Sequence, residues 1–170
     1  MKKVILATCV FLTSISFSFS QRFAYVDMDY ILSQVPAFEE AQNQLNNVSS
    51  DWQKQVESKM KEIDQLYNNF QAEQVLLTEQ MKKQKIKEIE DKEKAVKQFQ
   101  QQKFGSKGEL FKKRQELIKP IQDDVYDEIQ KMASVKGYDF VFDKSNALTM
   151  LYANERYDKS DDILKALGYK

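Results

Sequence analysis

Few side chains in this sequence are equipped for chemistry. There is no histidine, so the commonest general base and the commonest metal ligand are both missing. The single cysteine is Cys9, close to the start. Glycine occurs only four times, and no glycine-rich phosphate loop can be drawn around any of them. The carboxylate pair Asp123-Asp124 lies in a stretch of helical spacing, where it reads as solvated helix charge. No catalytic residue, cofactor or metal ligand is therefore assigned, and no enzyme is expected.

What remains is charge and apolar spacing, the material of a binding surface. Residues 22–78 carry 4 basic and 9 acidic side chains, whereas residues 79–119 carry 13 and 7. Residues 120–170 return to an acidic balance, 7 against 10. The basic band starts with Lys82, Lys83, Lys85 and Lys87, beside Leu76, Leu77 and Met81, with Phe99 and Phe104 further on. These nine residues are the candidates for partner contact. The bland alternative is a solvated helix face over an ordinary apolar seam.

The elements that would position them begin after residue 20. Lys2 and Lys3, the apolar run Val4–Phe17 and the small residues Ser18 and Ser20 have the pattern of a signal peptide cleaved after Ser20. That run is too short for a bilayer, which needs about 20 apolar residues. Leu6-Ala7-Thr8-Cys9 loosely resembles a lipid-attachment site, a rival reading. On the signal-peptide reading Cys9 is removed and the exported chain has no thiol.

Arg22–Asp27 has the content of a short strand, and Pro36 suits the first turn of a helix. Apolar positions then recur at 38, 41, 45, 48, 52, 56, 60, 63, 67 and 70, a coiled-coil seam with one extra step near Val56. A turn at Val75–Thr78, with Thr78 as N-cap, would send the chain back. The returning seam is sparse through residues 82–103, interrupted by Gly105 and Gly108, and dense from Leu110 to Met132. Pro120 should bend it, and Gly137 should end it. Strands at 138–143 and 147–153, joined by a turn at Asp143–Asn146, would follow as a hairpin, with a short helix capped by Ser160.

The expected fold is α+β, mostly α. A long antiparallel helical hairpin, residues 36–135 with its tip near 75–79, projects from a small β body built from residues 21–35 and 136–170. So small a sheet cannot hold a monomer by itself. Phe23, Tyr25, Phe140, Phe142, Leu148 and Leu151 would lie half-exposed unless copies of the chain packed together.

The order of these pieces resembles the Skp/OmpH family of periplasmic chaperones. The resemblance is carried by Tyr25-Val26-Asp27, Pro36, Leu117–Ile121, Tyr138–Ser145, Leu151–Ala153, Asp161–Leu164 and Leu167-Gly168. It implies a homotrimer with a β body on the axis and three arms around a cavity. Unfolded outer-membrane proteins would be held there in the periplasm without ATP. No nucleic-acid partner and no transmembrane span are expected, while transient contact with a membrane surface stays open. Unlike strongly basic members, this chain confines its positive charge to the returning arm. A structural coiled-coil spacer of the cell envelope is the alternative function.

Overall fold

The structure, a computed structural model, describes residues 21–146 and 150–170. The expected signal peptide, with Cys9, and the candidate Leu148 lie outside the described residues. In chain order the elements are β1 (Phe23–Val26), α1 (Met28–Ser33), α2 (Pro36–Glu73), α3 (Glu79–Phe104), α4 (Glu109–Leu117), α5 (Lys119–Lys136), β2 (Phe140–Asp143), a 3-10 turn (Glu155–Tyr157) and α6 (Ser160–Ala166). The protein is mostly helical, with a small two-stranded sheet.

Proline at the first position starts α2, because its missing N–H would have had no partner there. With no glycine or further proline, the helix runs 38 residues, about 57 Å at 1.5 Å per residue. The chain reverses through residues 74–78, and the Thr78 hydroxyl accepts from the Met81 amide at 3.3 Å to cap α3. Helices α2 and α3 run antiparallel: Trp52 meets Phe104, Glu62 meets Lys92 and Glu73 meets Lys85. Leu45, Val56, Ile89 and Val96 are buried along the seam, whereas Met60 and Tyr67 are 52% and 51% exposed. The arm is thus only partly zipped by its own apolar residues.

Two interruptions divide the returning strand of the arm. Residues 105–108 form a loop between α3 and α4. At Pro120 the expected bend is a break at Ile118 between α4 and α5, since proline cannot return a backbone bond to Glu116. Ile118 is buried against Ala41 and Leu45, which fixes the foot of α2 to the break.

The core of the base gathers both ends of the chain. Val26, Ile31, Leu32, Val125, Ile163 and Leu164 are buried together, flanked by Phe38, Ile121, Ile129, Met132 and Val141. Asp27 caps α1 by accepting from the Tyr30 amide at 3.0 Å. Gly137 ends α5 in the left-handed region at φ 67°, a conformation that favours a residue without Cβ. The Tyr138 amide then bonds back to the Ala133 carbonyl, so the strand starts at Phe140 rather than at Tyr138.

The two ends of the chain meet in one sheet, as expected, but it has two strands among the described residues, and the expected strand 147–153 lies partly outside them. Strand β2 pairs with β1, in parallel, with Phe23 opposite Phe140, Ala24 opposite Val141 and Tyr25 opposite Phe142. Residues 150–153 form no strand among the described residues. The far edge of β1 instead meets Asp158 through a single bridge at Tyr25. A parallel pair requires a long crossover, and here the crossover is the whole helical arm.

Candidate binding surfaces

Strand alternation and parallel register together put Phe23, Phe140 and Phe142 on one face. Their rings are stacked, with centroids 5.8 Å apart for Phe23–Phe140 and 6.3 Å for Phe140–Phe142. They are 42%, 52% and 47% exposed, an unpartnered aromatic face on the described chain. Leu151 is exposed almost completely, and Tyr152 beside it nearly so. Sequence reading overlooked Tyr152 and the exposed Val135; Tyr152 follows directly on Leu151, so it could have been found.

Tyr25 is the exception in this group. It shares the side of Phe23 but is buried under the segment that carries Asp158, with Lys144 lying 5.9 Å from its ring centre. Burial pushes its phenol pKa up, and the carboxylates of Asp158 and Glu155 push it the same way. Tyr25 therefore fastens β1 to the base and is not part of the open face.

The arm tip forms a second surface. Val75 and Leu76 are 88% and 86% exposed, Met81 is half-exposed and Leu77 partly buried. Of the four lysines, Lys82 pairs with Glu79 at 2.8 Å and Lys85 with Glu73 at 3.0 Å. Lys83 and Lys87 are exposed and make no ion pair among the described residues. Half of the basic cluster is thus engaged in the arm itself. Further along, Lys92 bonds Glu62 at 2.7 Å; that hydrogen bond holds the Glu62 carboxyl below its usual range and raises the Lys92 ammonium.

Phe99 and Phe104 lie away from the tip, in the middle of the arm. Phe104 packs edge-on against Trp52, and the Lys103 ammonium sits 4.8 Å from the Trp52 ring centre and 5.6 Å from that of Phe99. Beyond them, a shallow cleft of about 260 Å³ between α2 and α3 is floored by Met60, Ile63 and Val96. Among the described residues no group of three or more carboxylate, cysteine or histidine side chains could hold a metal ion. No described helix is long and apolar enough to cross a membrane.

Long antiparallel helices raised on a small mixed base, with apolar side chains facing outward at both ends, define a class of helical-arm proteins. The chain belongs to the OmpH-like outer membrane protein family, whose model matches residues 22–167. It is 29% identical over 150 residues to an uncharacterized protein of Aquifex aeolicus (strain VF5), covering 88% of each chain. Its fold is similar to a crystal structure from Caulobacter crescentus CB15 described as a candidate outer membrane chaperone (OmpH-like). That match has a TM-score of 0.66 at 12% identity and covers 87% of this chain and 84% of the other.

Proposed function

We propose that the protein is an ATP-independent periplasmic holdase: it binds unfolded outer-membrane proteins and prevents their aggregation before insertion. The observation that carries this reading is an arm whose apolar residues are only partly spent on its own packing. Val75, Leu76, Met81, Met60 and Tyr67 stand exposed or half-exposed at the tip and along the outer half of the arm, about 20 Å of α2 from Met60 to Glu73. Many weak contacts of this kind hold a chain without fixing its conformation and release it by mass action. Membership of the OmpH-like family supports the same reading. The signal-peptide pattern before residue 21 supports export to the periplasm.

The working form in this proposal is a homotrimer. The stacked face of Phe23, Phe140 and Phe142, with Leu151 and Leu148, is its contact surface. Burial of such aromatic area drives association.

The test is dilution of a denaturant-unfolded β-barrel outer-membrane protein into buffer without nucleotide, followed by light scattering. The protein in equimolar trimer is expected to suppress aggregation. Unchanged scattering would reject the holdase reading and leave the spacer. Native mass measurement is expected to show three copies, and a monomer would remove the trimer from the proposal.

A further inference from the structure

In the middle of the arm, around the seam residue Trp52, lies a charged contact that seam packing alone does not explain. Lys103, in the last turn of α3, reaches over the loop to Glu109 at the start of α4, with Nζ 2.5 Å from Oε2. The other Glu109 oxygen accepts from the side-chain Nε2 of Gln102 at 3.2 Å. The Lys103 side chain is only 17% exposed, because its stem and ammonium lie against Trp52 and Phe99. Phe104 completes the group, edge-on to Trp52 with ring centroids 6.0 Å apart.

The loop that this pair spans is tightly wound. A Cβ at Gly108 would meet the Gln102 carbonyl at 2.8 Å, and one at Gly105 would collide with the Gln101 carbonyl. Opposite the loop, α2 continues without a break, so a swing of the whole arm is opposed by an intact helix. The local motion left is peeling of the end of α3 away from α2. That motion would separate Lys103 and Phe104 from Trp52 and expose the aromatic cluster, now half-buried, more fully to solvent.

We propose that the Lys103–Glu109 pair is a latch: closed, it covers the cluster of Trp52, Phe99 and Phe104; released, it lets the end of α3 peel off and presents that cluster to apolar side chains of an unfolded chain. Use of the cluster by such chains rests on the holdase reading, whereas the latch itself does not. A charged, partly desolvated hydrogen bond at a glycine-broken helix end is suited to hold the closed form. Trp52 is the only tryptophan, so its fluorescence reports on the state of the cluster directly.

The test uses the full exported chain and the variants Glu109→Gln and Lys103→Met. Without any client, amides of residues 101–109 are expected to exchange about tenfold faster in both variants, equivalent to ~1.4 kcal/mol of local stability. Acrylamide quenching of Trp52 should rise, while exchange around Val125 stays unchanged. Quenching and exchange equal to wild type in both variants would overturn the latch. So would a uniform rise along the whole arm, which would mean general destabilisation. A tryptophan-free unfolded β-barrel polypeptide is then added. It is expected to shield Trp52 from acrylamide more strongly in Glu109→Gln than in wild type. No shielding in the variant would reject use of the cluster by clients even if light scattering shows holdase activity.

Discussion

Asp143 and Asp158 stand at opposite edges of β1, and each closes the same Asp-Lys-Ser turn. Asp143 accepts from the Ser145 amide and hydroxyl at 3.0 and 2.6 Å; Asp158 accepts from the Ser160 amide and hydroxyl at 2.9 and 2.6 Å. The lysine between them donates its amide to the strand in both cases, Lys144 to the Val26 carbonyl and Lys159 to the Tyr25 carbonyl. Successive carbonyls of a strand point opposite ways, so the two turns grip β1 from both sides. Ser160 also accepts from the Asp27 amide at 2.8 Å, which ties the strand, its exit into α1 and the last helix together.

The first prediction follows from Asp143. Burial pushes its carboxyl up, but hydrogen bonds from Ser145, Asn146 and the Met28 amide outweigh burial and hold it below the usual carboxylate range. A depressed folded pKa adds stability above the unfolded value, and that stability is lost as pH falls through the folded one. Asp143→Ala should therefore cost about 1–2 kcal/mol at pH 7, the scale of losing a capping carboxylate. The gap to wild type should narrow in acid, where the native carboxyl also takes up a proton. Thermal unfolding of both proteins at neutral and acidic pH measures this. A gap independent of pH would show that the charge of Asp143 contributes nothing.

The second prediction separates base from arm. Ile163 is fully buried in the core that joins both chain ends, whereas Val96 is buried in a thin seam. Ile163→Ala should cost about 3 kcal/mol by leaving a cavity that rigid neighbours cannot fill. Val96→Ala should cost less, because the half-open seam around Met60 and Ile63 can settle inward. Denaturant titrations give both values; since Val→Ala deletes one carbon fewer than Ile→Ala, equal losses would mean that the arm is packed at least as tightly as the base.

Much of this architecture is legible in the sequence, because helical spacing and breakers act locally. The seam from Phe38 to Phe70, Thr78 as a cap and Gly137 as a stop each depend on neighbours within a turn or two. The sheet is a different matter. Alternation marks residues 138–143 as a strand and places Phe140 with Phe142 on one side, but it carries no information on the register that sets Phe23 beside them. That the two chain ends share a sheet is legible from the lack of any other partner for the C-terminal strand, but the parallel direction and the register are set by the long crossover through the arm. Tyr25 shows the same limit. Its side of the strand follows from period two, while the cover supplied by residues 155–158 comes from packing at a distance. The pairing of Lys82 and Lys85 follows from Glu79 on the same helix and Glu73 across the turn; only the first lies at a readable i, i+3 spacing.

The third prediction concerns the aromatic face. Phe140 is half-exposed and, among the described residues, stacks on Phe23 and Phe142, so Phe140→Asp should leave the fold of a single chain nearly intact. In the proposed trimer the same change buries a charge at a subunit contact, at a cost of several kcal/mol. Sedimentation is expected to show dissociation to a smaller species with unchanged helical content. A native-sized particle would place the contact elsewhere.

The last prediction divides the arm tip into two kinetic roles. The lysines act across water, where attraction is screened over about 8 Å at physiological salt. They should therefore govern encounter with a client rather than its retention. Replacing Lys82, Lys83, Lys85 and Lys87 with Gln is expected to slow association at low salt and to change little at high salt. Because Lys82 and Lys85 already pair with Glu79 and Glu73, Lys83 and Lys87 should account for most of that effect. Replacing Leu76, Leu77 and Met81 with Ser removes apolar contact instead, so the dissociation rate should rise at every salt concentration. Stopped-flow binding of an unfolded β-barrel protein resolves both rates. If the lysine variant matches wild type at all ionic strengths, the basic band is a solvated helix face. Retention is then carried by the apolar tip alone, provided that the serine variant still releases its client faster.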